Sequence, residues 1–269
     1  MKILNPETDL DMFEQKLTEA SQKALLLDYD GTLAPFHTNP NNAYPYPGVT
    51  DLLKNILRQG DTRLVIITGR WIKDLMPLLQ LEKQPEVWGS HGLERLKENG
   101  SYEIATMDEE ALKGLIAADE WIESIGLSDR CEKKPGCLAI HWRGLSEDNI
   151  HHIKEQVNPK WSLISKNWGL RLEGFDGGLE LRVPGMNKGD AVTTILEEMD
   201  NDSMAAYLGD DLTDEDGFNA VKGKGIGVLV RKEFRPTAAD LWLKPPEELL
   251  YFLVGWFNKR IDRCDQSIS

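Results

Sequence analysis

Short apolar runs alternate with stretches of helical periodicity through the first third of the chain. Residues 24–27 are apolar, end at Asp28 and follow a helix-like segment at 9–22. Apolar continuity over a few residues predicts a strand that is buried on both faces. The alternation continues with a helix at 48–59, a β-branched strand at 63–67, a helix at 71–80 and a short strand at 87–88.

The same alternation returns after Lys188. It runs through a helix to about Met199, a strand at 204–208, a helix to Val221, strands at 226–230 and 241–243, and a final helix. Strand and helix alternating in both halves predict an α/β fold with a doubly wound, Rossmann-like parallel sheet. We assign residues 1–106 and 185–269 to this core.

The pattern between residues 107 and 184 is different, which predicts an inserted α+β cap domain. Helices are expected at 108–125 and 146–157, and strands at 137–143, 161–165, 170–175 and 178–183. Asp176-Gly177-Gly178 lies between two alternating runs, which is typical of a hairpin turn and of antiparallel pairing.

The composition narrows the class of protein. Lys and Arg number 31 against 45 Asp and Glu, and the net charge of −14 argues against a nucleic-acid partner. The longest apolar run, 249–257, is less than half of the roughly 20 residues that span a membrane, so no membrane partner is expected. Three cysteines without C-x-x-C spacing (Cys131, Cys137 and Cys264) suggest neither a disulfide framework nor a zinc site. We expect a cytoplasmic monomer.

The most informative stretch is Asp28-Tyr29-Asp30-Gly31-Thr32-Leu33, directly after the first buried strand. The carboxyl ends of parallel strands face the ligand crevice of an open α/β sheet. An aspartate there can attack phosphorus, and a second one two residues later can act as general acid on the leaving oxygen. The alternative is a turn, because the segment is rich in turn-forming residues.

A second acidic cluster, Gly209 to Asp216, follows the strand at 204–208 and holds five carboxylates within seven residues. These carboxylates repel one another unless a cation offsets them, and Mg²⁺ is held by one or two carboxylates with water and phosphate oxygens. The alternative is an N-cap and acidic first turn around Thr213 and Asp214. That alternative leaves Gly209-Asp210-Asp211 at a strand end unexplained.

Two further segments fit phosphate chemistry. Thr68-Gly69-Arg70 follows the strand at 63–67 and offers a hydroxyl and backbone amides, although the tripeptide taken alone favours a plain helix cap over a phosphate site. Lys188 opens a helix, where the helix dipole disfavours a cation, so we expect it to have an anionic partner. The alternative is a solvated surface lysine, which is the default for any single Lys.

Taken in order, D-x-D-G-T, T-G-R, a helix-opening Lys and G-D-D-x-x-D resemble the four motifs of haloacid dehalogenase superfamily phosphohydrolases. More specific segments resemble the trehalose-6-phosphate phosphatases: Gly89 to Glu94, His141-Trp142-Arg143, Glu180-Leu181-Arg182 with Lys188-Gly189, and Gly209 to Asp216. Thr68 stands where that family more often has Ser, and Val183 where Pro commonly follows the Arg.

The resemblance implies an Mg²⁺-dependent hydrolysis of trehalose 6-phosphate through an aspartyl-phosphate. Asp28 would be the nucleophile and Asp30 the general acid/base. The remaining roles that it implies are phosphate binding by Thr68, Gly69, Arg70 and Lys188; metal binding by Asp28, Asp30 and Asp210, with Asp211 and Asp214 as secondary ligands or orienters; and sugar binding by Glu94, Lys134, His141, Arg143, Glu180 and Arg182.

Other functions remain open at this point. The substrate can be another glycosyl phosphate, such as glucosylglycerol phosphate or mannosyl-phosphoglycerate, and a phosphomutase would share nearly every motif. A signalling receiver domain has no need of Asp30 or of an insertion of about 80 residues. A catalytically silent partner of a synthase would not be expected to keep all four motifs.

Overall fold

The computed structural model describes residues 1–175, 177–259 and 261. Up to the insertion the elements are β1 (Lys2–Ile3), α1 (Leu10–Glu19), β2 (Lys23–Leu27), α2 (Val49–Gln59), β3 (Thr62–Ile67), α3 (Ile72–Leu79), β4 (Glu86–Gly89), β5 (Glu94–Leu96) and β6 (Tyr102–Ile104). Those of the insertion are α4 (Glu109–Ser124), β7 (Cys131–Lys134), β8 (Cys137–His141), α5 (Glu147–Trp168), β9 (Arg171–Phe175) and β10 (Gly178–Arg182). The chain continues with α6 (Lys188–Glu197), β11 (Met204–Gly209), α7 (Glu215–Ala220), β12 (Gly225–Val230), β13 (Leu241–Leu243) and α8 (Glu247–Asn258).

In the described part of the chain, one sheet has the strand order β1-β13-β12-β11-β2-β3-β4-β5-β6. The six strands from β13 to β4 are parallel, whereas β1 and β5 pair antiparallel at the margins. The central strand β2 is buried throughout, which accounts for its continuous apolar run. The predicted α/β class with a largely parallel sheet is therefore confirmed, while the marginal strands β1, β5 and β6 were not predicted.

The chain changes direction across the sheet between β2 and β11. From β2 the strands proceed through β3 and β4 on one side, and from β11 through β12 and β13 on the other. Ligand crevices of open α/β sheets form beyond the carboxyl ends of the strands at such a switch point. The register places Leu27 of β2 beside Leu208 of β11, so the residues that follow these two strands emerge together.

The core of this sheet is built from apolar helix faces. In α2 the buried positions are Val49, Leu53, Ile56 and Leu57, the spacing expected for one helix face. The apolar run at 249–257 forms most of α8, and Leu249, Phe252, Leu253 and Trp256 are buried there. Among the described residues, no helix combines the length and apolar composition that crossing a membrane requires.

The chain divides into two compact units, residues 1–103 with 187–269 and residues 104–186. In the described residues of the smaller unit, β7, β8, β10 and β9 form an antiparallel sheet in that order. Helices α4 and α5 complete this α+β unit. Asp176, in the predicted hairpin between β9 and β10, lies outside the described residues. Cys264, near the end of the chain, also lies outside them.

The strand predicted at 161–165 is wrong, because this segment is the second half of α5. Ile153, Val157, Trp161 and Ile164 are buried at spacings of four, four and three residues. That spacing is the apolar face of a helix, and it continues through Pro159 instead of stopping there. Burial of this face outweighs the local preference of Pro for a helix end.

Candidate active site

The candidate site lies where three neighbouring parallel strands end. Asp28 follows β2, Asp210 follows β11 and Thr68 follows β3. The backbone N–H of Asp28 donates to the carbonyl of Leu208 at 2.8 Å, which ties the two central strand ends together. Ligand oxygens of Asp28, Asp210 and Asp214 all lie within 4.8 Å of one another, and all three residues are buried.

Lys188 supplies the counter-charge to Asp28. Its Nζ donates to Oδ1 of Asp28 at 2.6 Å, and the lysine is only 4% exposed. Thr32 Oγ1 donates to the other oxygen of Asp28 at 2.9 Å. Burial raises the pKa of Asp28 to about 7, although Lys188 opposes this rise. The anionic partner expected for a lysine at a helix start is thus a carboxylate 160 residues away.

Asp214 orients its neighbours. Lys188 Nζ and the Tyr207 hydroxyl donate to its Oδ1 at 2.7 and 2.6 Å. The backbone N–H groups of Asp210 and Asp211 donate to its Oδ2, each at 2.9 Å. Both oxygens are therefore engaged by donors, and this geometry favours the orienting role over direct metal ligation.

Asp210 is the carboxylate that most requires a cation. It is 3% exposed, and no described residue donates a hydrogen bond to its carboxylate oxygens. Among the described residues, the nearest cationic nitrogen is Nη1 of Arg231, which lies 4.0 Å from Oδ2 of Asp210. Burial, Asp28 and Asp214 raise the pKa of Asp210 well above its usual range. A buried acid group beside another one fits a site for a divalent ion, because the ion would offset both charges.

The loop after β11 is held by its own carboxylates and by an arginine. Asp211 caps the following turn by accepting the N–H of Leu212 at 2.8 Å, so the predicted capping role falls on Asp211 and not on Thr213. Arg235 donates to the carbonyls of Asp210 and Asp211 at 3.2 and 2.6 Å. The same guanidinium pairs with Glu215.

The T-G-R segment forms a compact turn next to this site. Thr68 is buried, and its Oγ1 accepts the N–H of Arg70 at 3.1 Å. Gly69 packs against His91, whose imidazole would lie 2.6 Å from a Cβ at that position. The Arg70 side chain pairs with the carboxylate of Asp30 through two hydrogen bonds of 2.6 Å. Arg70 thus lies against the predicted general acid.

Glu94 is buried and belongs to the larger unit, whereas the other five predicted sugar-binding residues belong to the smaller unit. Its oxygens accept the Ser90 hydroxyl at 2.6 Å and the Tyr102 hydroxyl at 2.7 Å. Ser90 and His91 both adopt a positive φ, at 47° and 58°, which non-glycine residues seldom do. Glu94 therefore secures a strained loop that packs on the T-G-R segment.

The remaining predicted sugar-binding residues belong to the smaller unit. Lys134 donates to Glu180 at 3.1 Å, and Cys137 Sγ donates to the same carboxylate oxygen at 3.0 Å. His141 contacts Glu132 at 2.9 Å. The cross-strand register puts Glu132, Lys134, Glu173, Glu180 and Arg182 on one face of the sheet.

Arg182 and Arg143 complete this group. Arg182 donates to the two carboxylate oxygens of Glu173 at 3.0 and 2.9 Å, and to the carbonyl of Met186 at 3.2 Å. Arg143 is half-buried just beyond β8 and lies close to Gly177. We call the face with Glu132, Lys134, Glu173, Glu180 and Arg182 the polar sheet face.

Several residues of the site had no assigned role in the sequence analysis. Thr32 and Gly31 lie inside the D-x-D-G-T motif, and their position there was the available signal. Tyr207 was hidden within a strand, and its hydroxyl reaches Asp214 only because β11 lies beside the acidic loop. Arg235 carries no local signal, since its contacts are with residues 20 to 25 positions earlier.

Solved structures of other proteins share the fold of this chain. A haloacid dehalogenase-like hydrolase from B. subtilis matches 87% of this chain and 99% of its own, with a TM-score of 0.59 at 14% identity. The C-terminal domain of C. albicans trehalose-6-phosphate phosphatase matches 96% of this chain and 99% of its own, with a TM-score of 0.77 at 21% identity. These two likenesses show a shared fold, and together with the match to a phosphatase family over residues 26–246 they define the class: the protein is a phosphatase, that is, a phosphoric monoester hydrolase.

The chain belongs to the trehalose-phosphatase family, which it matches over residues 26–246. The probable trehalose-phosphate phosphatase D of Arabidopsis thaliana is 32% identical over 277 residues, an alignment that covers 91% of this chain and 70% of the relative. The C-terminal domain of the C. albicans trehalose synthase regulatory protein shares the fold with a TM-score of 0.69 at 13% identity, covering 94% of this chain and 99% of its own.

Proposed function

We propose that this protein hydrolyses trehalose 6-phosphate to trehalose and phosphate through a covalent phosphoryl group on Asp28. The observation that carries the proposal is the buried Asp28 carboxylate, paired with Lys188 and lying beside Asp210 and Asp214, in a member of the trehalose-phosphatase family. Phosphoryl transfer requires positioning and neutralisation of charge more than any other contribution from the protein.

In the first half of the reaction, an oxygen of Asp28 attacks phosphorus and forms a new P–O bond. The bond between phosphorus and the sugar oxygen breaks, and Asp30 gives its proton to that oxygen. In the second half, water attacks the phosphorus of the aspartyl-phosphate and passes a proton to Asp30. The bond to Asp28 breaks, phosphate leaves, and both aspartates return to their starting forms.

Lys188 and Thr32 orient the attacking carboxylate. The amine and the hydroxyl engage different oxygens of Asp28, at 2.6 and 2.9 Å, which restricts rotation of the carboxylate. Lys188 also offers a positive charge for the phosphoryl oxygens, and the Thr68 hydroxyl and its neighbouring amides are the further candidates for phosphate binding.

Asp28, the backbone carbonyl of Asp30 and Asp210 would hold a divalent cation, which we propose to be Mg²⁺. This ion supplies Lewis-acid neutralisation of the phosphoryl charge. Oxygen ligands from few carboxylates are the donor set that Mg²⁺ prefers, and the buried Asp210 carboxylate fits this need.

We infer that the polar sheet face contributes to sugar recognition. Carboxylates and forked guanidinium donors suit the hydroxyl groups of a disaccharide. On this face Lys134 and Glu180 hold each other in place, as do Glu173 and Arg182, so the groups are already oriented. We also propose a monomeric protein that acts in the cytoplasm.

The test is a phosphate-release panel with Mg²⁺ and four substrates: trehalose 6-phosphate, glucose 6-phosphate, glucosylglycerol phosphate and mannosyl-phosphoglycerate. We expect trehalose 6-phosphate to have the highest kcat/KM. Higher turnover of another glycosyl phosphate would reassign the substrate, and appearance of a second sugar phosphate would indicate a mutase. No release from any of the four would favour a catalytically silent protein.

A further inference from the structure

Arg70 holds the carboxylate of Asp30 with both edges of its guanidinium fork. Nε donates to Oδ2 at 2.6 Å and Nη2 donates to Oδ1 at 2.6 Å. Paired, short hydrogen bonds of this kind fix the orientation of a carboxylate as well as its position. The arginine side chain is 11% exposed and that of the aspartate 28%, so the pair lies only partly in contact with solvent.

The guanidinium is itself held from other directions. Nη1 donates to the carbonyl of Pro40 at 2.9 Å, and the guanidinium carbon lies 5.4 Å from the centre of the Tyr29 ring. The Tyr29 hydroxyl donates to the carbonyl of Ala43 at 2.7 Å, which ties the same loop to the site. Arg70 is therefore a fixed support for Asp30 and not a mobile surface cation.

These contacts leave a poor geometry for the phosphate-binding role that the T-G-R motif implied. A phosphate would have to replace the Asp30 carboxylate on the same fork, at the cost of two charge-assisted bonds. Lys188 already provides a cation beside Asp28.

We propose that Arg70 is a positioning residue, which acts on the reaction by orienting the carboxyl group of Asp30 toward the leaving oxygen. When Asp30 carries the proton that it gives to that oxygen, one of its oxygens keeps its bond to the guanidinium and the protonated one releases it. The inference rests on the proposed function, in which Asp30 protonates that oxygen. Proton transfer depends on geometry within hydrogen-bond reach, and a group misplaced by even a fraction of an ångström transfers protons poorly.

The leaving group separates this role from phosphate binding. A sugar alkoxide needs a proton as it departs, whereas p-nitrophenolate does not. For Arg70→Met and Arg70→Lys we expect kcat/KM with trehalose 6-phosphate to fall at least about tenfold and kcat/KM with p-nitrophenyl phosphate to change less than about twofold. This ratio reports only the first half of the reaction, in which the leaving oxygen takes a proton, and not the later attack of water that both substrates share. The Lys variant keeps the charge but loses the fork, so it tests orientation in particular.

Inhibition by inorganic phosphate provides a second readout. A positioning role predicts an unchanged inhibition constant for phosphate. A phosphate-binding role predicts a higher inhibition constant and equal losses on both substrates, and that result would overturn the proposal. Arg58→Met, a change at an exposed helix position, is the matched control and should retain wild-type kinetics.

A double-mutant cycle keeps the proposal testable if Arg70→Met lowers stability. In an Asp30→Asn background, Arg70→Met should cost less than about twofold further on trehalose 6-phosphate, because the two residues act through one another. A loss as large as in the wild-type background would overturn the proposal. If the wild-type protein hydrolyses none of the sugar phosphates, the proposed function has failed, and that failure is visible before any Arg70 variant is made.

Discussion

Gly31 lies where a side chain would displace the Asp210 carboxylate. Its φ of +84° is in the left-handed region, and a Cβ there would lie 2.8 Å from Oδ1 of Asp210 and closer still to the rest of that carboxylate. Gly31→Ala must therefore strain the backbone and rotate or shift Asp210. Gly100 is a matched control, because it has the same φ of +84° and no atom within 4 Å of its Cβ position.

The two costs can be separated in magnitude. The left-handed conformation costs an alanine about 1–2 kcal/mol, and this applies to both variants. Overlap in a packed site adds about 1–3 kcal/mol, and this applies only to Gly31→Ala. Disturbing the orientation of a metal ligand lowers metal affinity or activity about 10- to 100-fold. Gly100→Ala should leave metal affinity and activity unchanged.

The measurements are the free energy of unfolding from denaturant titration and kcat/KM for phosphate release at several Mg²⁺ concentrations. We expect Gly31→Ala to be less stable than Gly100→Ala and to need more Mg²⁺. In an Asp210→Ala background the extra stability cost of Gly31→Ala should disappear, because the overlapping carboxylate is gone. Equal stability of the two glycine variants, with full activity in both, would refute the steric reasoning.

Three further outcomes are expected. Asp28→Asn should fold normally and release no phosphate, since only the attacking charge is removed; more than a few per cent of wild-type activity would contradict the nucleophile assignment. Burial raises the pKa of Asp28 from 3.8 to about 7, so the folded, cation-free protein holds a proton between these values that the unfolded chain has lost. The stability of the cation-free protein should consequently fall as pH rises through this window, and Mg²⁺ affinity measured by calorimetry should rise; an affinity that is flat from pH 5 to 7 would argue against carboxylate ligation. Glu180→Gln and Glu180→Ala should lower kcat/KM for trehalose 6-phosphate at least about tenfold, as expected for charge-assisted bonds of roughly 1.5 to 3 kcal/mol, and should barely affect p-nitrophenyl phosphate; parallel losses on both substrates would assign Glu180 a structural role.

The sequence by itself determined the class of fold and the ends of the strands that carry the chemistry. Apolar continuity at residues 24–27 and 204–208 is a local property, and it marks strands buried on both faces. Carboxyl ends of parallel strands meet at one edge of the sheet, so the sequence alone predicts that Asp28 and Asp210 lie close together. The order of the four motifs carried the family resemblance.

Only the tertiary structure decided which groups engage one another. Lys188 reaches Asp28 across 160 residues, and Arg70 reaches Asp30 across 40, so neither pairing is encoded in a local pattern. The same holds for Arg235, whose guanidinium holds the acidic loop by its carbonyls. The helix at 161–165 was missed because burial of Trp161 within the smaller unit, and not local preference, extends α5 past Pro159. Side-chain partners depend on strand register and on the paths of loops, and both are set by packing of the whole chain.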